Sequence, residues 1–163
     1  MTMTQDRDRV IFLDHENAIR SQIAEAFLQR LGGDAYEVCS GGIEPRPVHP
    51  LTAVVMGEVG YDIHLQESKS AQRFFGRGSA FQVAILVSMP DERDCPRLFP
   101  GALRVERWPN RDPLAGDQDP ALLLARFRAT RDNLRLQTEV WVKAQKDAKT
   151  GVFSVRRALA VPH

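Results

Sequence analysis

Cysteine is scarce in this chain: Cys39 and Cys95 are the only two among 163 residues. Two cysteines do not make the disulfide framework of a small secreted protein, so a reducing cytoplasm is the simpler expectation. Net charge is nearly absent too, at +1 from 22 basic and 21 acidic residues. No global field therefore draws the chain to nucleic acid or to a membrane surface. No apolar run approaches the roughly 20 residues needed to span a bilayer. The opening stretch MTMTQDRDR lacks the apolar core of a signal peptide. Internal repeats, low-complexity segments and interdomain linkers are missing as well. What remains is the length and composition of one cytoplasmic globular domain. Its hydrophobic content of 43% and charged content of 26% are ordinary for that class, and the length is enough to bury a real core.

The apolar pattern divides into alternating strands and helices. Val10 to Leu13 reads as a first strand, and a helix follows from Arg20-Ser21 with Ile23, Phe27 and Leu31 at four-residue spacing. Gly32-Gly33 ends it, because glycine accepts the left-handed cap. Tyr36 to Ser40 reads as a second strand. His49-Pro50 opens a second helix, with Pro50 in the first turn where its missing N–H costs nothing. Leu51, Val54, Val55 and Val59 are its apolar residues, and Gly60 is its stop. The continuous run FQVAILVS, Phe81 to Ser88, has the length of a strand buried on both faces. Arg104 to Trp108 reads as a fourth strand. A long helix then begins at Pro120 and reaches about Lys146, with Leu123, Phe127, Leu134 and Trp141 on one face. Strands alternating with helices predict an α/β fold with a parallel sheet covered on both sides.

The segment VIFLDHENAIRSQIAEAF, residues 10 to 27, holds the candidate site. A strand, a short loop and a helix N-terminus form the general geometry of an oxyanion cradle, since backbone N–H groups converge there and the helix dipole adds about half a positive charge. Arg20 closes the loop with a guanidinium fork suited to phosphate. Asp14 and Arg20 are separated by five residues, and Ser21 follows. This resembles the Cys-x5-Arg-Ser/Thr loop of the low-molecular-weight protein tyrosine phosphatases and of the thioredoxin-coupled arsenate reductases that share their fold. NAIRSQIAEAFL, VHPLTAVVMGEVGYDI, ERDCPRLFPG and WPNRDP carry the resemblance in order, from about Arg9 to Lys146.

The resemblance implies a three-layer α/β/α domain over residues 1–146, with about four strands and a C-terminal tail over 147–163. It also implies that the first two strands exchange order, which puts the loop at a switch point on the C-terminal side of the sheet. The implied anion loop is Asp14, His15, Glu16, Asn17, Ala18, Ile19, Arg20 and Ser21. Asn17 matches the residue that holds the loop's shape, Arg20 the anion clamp, Ser21 the hydroxyl that stabilises the family's thiolate. Asp112, before Pro113, matches the general acid. Ser88 and Cys95 fall at the two redox-relay positions of the reductases, so only one of three redox cysteines is kept and a cysteine relay is not expected. The nucleophile's own position holds Asp14.

The resemblance therefore implies a pseudoenzyme of phosphatase fold with a binding or regulatory role. A weakly bound oxyanion at the loop and a protein partner are the ligands this allows, with no cofactor and no metal. Two unit charges about 4 Å apart repel by about 4 kcal/mol at an effective dielectric near 20, so an ionised Asp14 would cost a bound phosphate about a thousandfold in affinity. Ionisation of Asp14 is expected from the surrounding N–H donors, the helix start and pairing with Arg20. Two alternatives stay open. One is a hydrolase of altered mechanism using Asp14 and Asp112. The other is an interaction protein using the last helix and the tail. Arg20 is equally a structural partner of Asp14, and Asp112 equally a turn former. Arg126, Arg128, Arg131 and Arg135 are expected to form a solvated face, and Trp108 and Trp141 to pack in the core.

Overall fold

The computed structural model describes residues 6–76, 80–92 and 99–159, with side chains as far as residue 151. Seven principal elements follow one another: β1 (Asp8–Asp14), α1 (Arg20–Leu31), β2 (Tyr36–Gly42), α2 (Pro50–Gly57), β3 (Phe81–Ser88), β4 (Ala102–Asn110) and α3 (Pro120–Leu159). The four strands form one sheet in the order β2-β1-β3-β4, every pairing parallel. The chain thus enters the sheet at an inner strand and reverses its winding direction between β1 and β3. The C-terminal ends of those two strands open the crevice in which α/β proteins collect their sites.

Strand periodicity explains the two cores. Val10 and Phe12 of β1 and Val83, Ile85 and Val87 of β3 pack with α1, α2 and α3. Their neighbours Ile11, Leu13, Ala84 and Leu86 face the other side, where they cluster with Phe81 under Ala71 and Phe99. Successive side chains of a strand point to opposite faces, so a strand apolar at every position needs both covers. On that second side the cover among the described residues includes a 3-10 turn, Ala71–Phe74. Trp108 and Trp141 are both buried, Trp108 beside Phe12 and Trp141 beside Tyr36.

Three features differ from the sequence pattern. In α2 it is Thr52, Val55 and Met56 that are buried, whereas Val54 is 51% exposed. The helix is only eight residues long, so Val59 falls beyond its end. It ends at Gly57, ahead of Gly60, whose φ of +83° suits glycine in the turn beyond. The last helix does not stop near Lys146 but continues to Leu159, 40 residues in all. At 1.5 Å per residue that is about 60 Å. The arginines of α3 are not simply a solvated face. Arg131 is buried and its Nη1 donates to the Val55 carbonyl at 3.0 Å and to Glu58 at 2.9 Å. Arg126 Nε donates to the Pro113 carbonyl at 2.9 Å, and Arg128 forms an ion pair with Glu58. Arg128, though bonded to Glu58, is exposed like Arg135, which pairs with Glu139 one turn on, so these two match the expectation of a solvated face. Arg126, Arg128 and Arg131 pin α3 to α2 and to the turn after β4. Among the described residues no helix is long and apolar enough to cross a membrane.

Candidate active site

β1 delivers Asp14 at its last position, and the chain then loops through residues 15–19 before α1 begins. The loop is anchored from outside. The carbonyls of His15, Glu16 and Ala18 accept from the N–H groups of Glu44, Arg46 and His49, at 2.9, 3.0 and 3.0 Å. Thr52 Oγ1 donates to the Ala18 carbonyl as well, and Ser68 Oγ to that of Glu16. With its carbonyls turned outward onto neighbouring segments, the loop has the polarity of an anion cradle.

Asn17 holds the centre. It is fully buried and takes a φ of +51°, a left-handed conformation that asparagine tolerates better than most residues. Its Nδ2 donates to Ser21 Oγ at 2.8 Å and to Ser40 Oγ at 2.9 Å. Its Oδ1 accepts from Gln22 Nε2 and from the Lys69 N–H, each at 2.9 Å. Every hydrogen-bonding capacity of the amide is thus used. Behind it Ser40 Oγ donates to Glu25 at 2.8 Å, and Lys69 lies 3.8 Å from the same carboxylate. Gly42 gives the loop room: a Cβ there would lie 2.8 Å from both the Asn17 nitrogen and the His15 carbonyl oxygen.

Asp14 points into the loop. Its Oδ1 accepts from the Asn17 N–H at 2.7 Å and its Oδ2 from the Ser21 N–H at 2.9 Å. Helix α1 has no acidic residue in its first turn and no capping side chain at Ile19. Asp14 performs that service from outside the helix, accepting one of the N–H groups a helix start leaves unpaired. Burial nevertheless pushes its carboxyl up from the ordinary value. The Ser21 N–H, the Arg20 charge, the Ser21 hydroxyl and the Asn17 N–H oppose that rise without cancelling it. The expectation that its surroundings favour the ionised form is corrected accordingly: desolvation outweighs the donors.

Arg20 is not the close partner of Asp14. Its Nη1 and Nη2 each meet one carboxylate oxygen of Glu92, the second at 3.0 Å, and Nη1 also donates to the Asn110 carbonyl at 2.8 Å. Burial by itself would lower the guanidinium's affinity for its proton. The Glu92 bond, the charges of Asp14 and Glu92 and, further off, Asp112 more than reverse that. Arg20 is therefore a permanent cation held between the loop and the far strands.

One cavity of about 360 Å³ joins these groups, lined among others by Asp14, Arg20, Glu92 and Asp112. Asp112 is half-buried and its Oδ1 accepts from the Leu114 N–H at 2.9 Å, so it forms a turn and lines the cavity at once. His15 and Glu16 stand at the mouth, His15 Nε2 3.4 Å from a Glu44 carboxylate oxygen and Glu16 in an ion pair with Arg46 at 3.3 Å. Glu16 thus has a partner outside the cradle. Ala18 and Ile19 are buried and line the same cavity with apolar atoms. Ser88 is buried at the end of β3, and its hydroxyl has no hydrogen-bond partner among the described residues. It does not line the cavity with Asp14. Cys95 lies outside the described residues. Cys39 is a free thiol on β2, and burial pushes it up from its ordinary value, away from the thiolate. No group of three or more His, Cys, Asp or Glu side chains placed to hold a metal occurs among the described residues.

Glu92 is the site residue that sequence reasoning missed. A usable signal existed: a carboxylate four residues beyond a buried central strand stands where α/β crevices open. Nothing in the sequence tied it to Arg20, 72 positions away.

The model of the low molecular weight phosphotyrosine protein phosphatase family matches residues 9–150. Arsenate reductase 2 of Staphylococcus epidermidis is 30% identical over 137 residues, covering 82% of this chain and 95% of that protein. An arsenate reductase of Shouchella clausii is 30% identical over 142 residues, covering 87% and 96%. Among solved structures, an arsenate reductase in its oxidized state superposes with a TM-score of 0.68 at 28% identity, over 84% of this chain and 98% of that one. The loop at the end of β1, the switched strand order and these matches agree, and the chain belongs to the low molecular weight phosphotyrosine protein phosphatase family.

Proposed function

We propose that this chain is a family member without the cysteine chemistry, working as a binding or regulatory module rather than as a phosphatase or arsenate reductase. One observation carries the reading. Asp14 stands at the first position of the loop, where the resemblance puts the nucleophilic cysteine, and its carboxylate takes the Asn17 and Ser21 N–H groups for itself. A carboxylate so engaged is a cap on α1, with one acceptor site of each oxygen committed to the loop. The cysteine relay of the reductases has no support either, since two of the three redox-cysteine positions read Asp14 and Ser88.

Turnover of an aryl phosphate by wild type and by Asp14→Cys, side by side, tests this. Silence in wild type together with turnover in Asp14→Cys supports a competent scaffold with a displaced function. Turnover by wild type that is abolished in Asp14→Asn overturns the proposal.

A second reading is favoured by one feature of the cavity. Asp14 and Asp112 line the same space, and burial raises the Asp14 carboxyl toward a protonated form. Two carboxyls facing one cavity can divide the work of acid and base between them. On this reading Asp14 and Asp112 share hydrolytic work, and wild-type activity would fall in both Asp14→Asn and Asp112→Asn.

A further inference from the structure

Arg20 sits in a carboxylate's grip that the loop itself does not provide. The guanidinium presents two N–H groups side by side, and Glu92 meets both, one oxygen to each. A third donor, the Met89 N–H, reaches Glu92 Oε1 at 3.2 Å. A planar fork with an added backbone N–H is the arrangement that binds a carboxylate or a phosphate oxygen pair. Glu92 is thus an anion in an anion subsite, supplied by the chain itself.

We propose that Glu92 is a tethered, displaceable anion that closes the Arg20 subsite, so that an external oxyanion binds only when Glu92 swings out. This rests on the reading of the loop as an anion cradle and adds the group that regulates its occupancy. Four observations carry it. The Glu92 side chain is 27% exposed while that of Arg20 is 8%, so solvent reaches the anion and not the cation. Arg20 has its own anchor in the Asn110 carbonyl, so the guanidinium keeps its place when the carboxylate leaves. Glu92 hangs from a tight turn, its N–H bonded to the Met89 carbonyl, directly after β3. The cavity beside it extends to Asp14 and Asp112, which leaves room for a phosphate-sized group.

The short tether decides the competition. A ligand held on a short linker acts at an effective concentration on the order of millimolar. Free oxyanions below that level lose to Glu92, and one that carries further contacts wins. A purely structural ion pair has the opposite signature. Removing one partner of a buried pair leaves an unpaired charge and destabilises the fold, and an external anion gains no access.

Titration with inorganic phosphate, followed by amide chemical shifts of the loop, separates the two. Wild type, Glu92→Gln and Glu92→Gln/Arg20→Met are compared. Glu92→Gln is expected to bind phosphate at least about tenfold more tightly than wild type, and Arg20→Met in that background to abolish the gain. A folded Glu92→Gln with wild-type affinity, or a gain that survives Arg20→Met, overturns the proposal. Should Glu92→Gln not fold, Glu92→Asp shortens the arm by one methylene, and the same two outcomes apply to it. The aryl phosphate assay is independent. A silent wild type with no phosphate gain in Glu92→Gln sinks the gate alone. An active wild type with that gain sinks the pseudoenzyme reading alone.

Discussion

The two sides of the β1–α1 loop are built from different chemistry. Behind it, Asn17, Ser21, Gln22 and Ser40 are wholly buried and joined by hydrogen bonds between amides and hydroxyls. In front of it, Asp14, Arg20, Glu92 and Asp112 are ionisable groups around a cavity. The rear network sets the shape of the loop, and none of its direct bonds to Asn17 depends on a charge. The front decides what the loop holds. This separation lets a carboxylate stand at the head of a phosphate loop without the loop collapsing. A neutral hub with every bond used is indifferent to the identity of the anion it surrounds.

If the rear network sets the shape, breaking its hub has the largest effect. Asn17→Ala removes four side-chain hydrogen bonds and puts alanine at a φ of +51°. It is expected to cost about 3 kcal/mol in a denaturant unfolding series. A loss below about 1 kcal/mol would mean the loop holds itself. Gly42→Ala comes next, at about 2 kcal/mol from overpacking, because the new Cβ meets backbone atoms of Asn17 and His15. Loop amide resonances should move in that variant while those of α3 stay in place.

At the front, the pH response to test is that of Asp14. Asp14→Asn keeps one acceptor but turns an NH2 toward a backbone N–H, a cost of about 1–2 kcal/mol. The Asp14 carboxyl is raised in the fold, so its contribution is fully present at acid pH. It is lost as pH climbs from the ordinary carboxylate range through the raised folded value. The gap between wild type and Asp14→Asn should therefore narrow as pH rises, measured by melting across a pH series. A gap that widens would show that the donors outweigh burial after all. The smallest effect is expected from Asp112→Asn. Asparagine's Oδ1 can still accept from the Leu114 N–H, so stability should change by less than about 0.5 kcal/mol, read from the same melts.

Much of the fold was legible because it rests on local periods. The all-apolar run of β3 marked a strand covered on both faces, and its limits, Phe81 and Ser88, match the structure. Helix α1 begins at Arg20 as its spacing predicts. The C-terminal end of α3 was less legible: no proline follows Lys146 before Pro162, and the helix runs through Gly151 to Leu159. Arg131 looked like any surface arginine, and only the approach of α2 reveals the Val55 carbonyl it serves. In the site, Asn17, Arg20 and Ser21 were visible through the motif. The roles of Glu92, Asn110 and Lys69 were not: the first two lie in segments that carry the resemblance, but no local pattern ties any of the three to Arg20 or Asn17.

Sequence by itself determined the order of strands and helices, the placement of the loop and the presence of Asp14 at its head, since these depend on side-chain period and on residue identity. Tertiary structure alone decided which carboxylate grips Arg20 and which way the Asp14 proton equilibrium leans. Both are electrostatic questions, and their answers depend on burial and on neighbours that folding brings together from far along the chain.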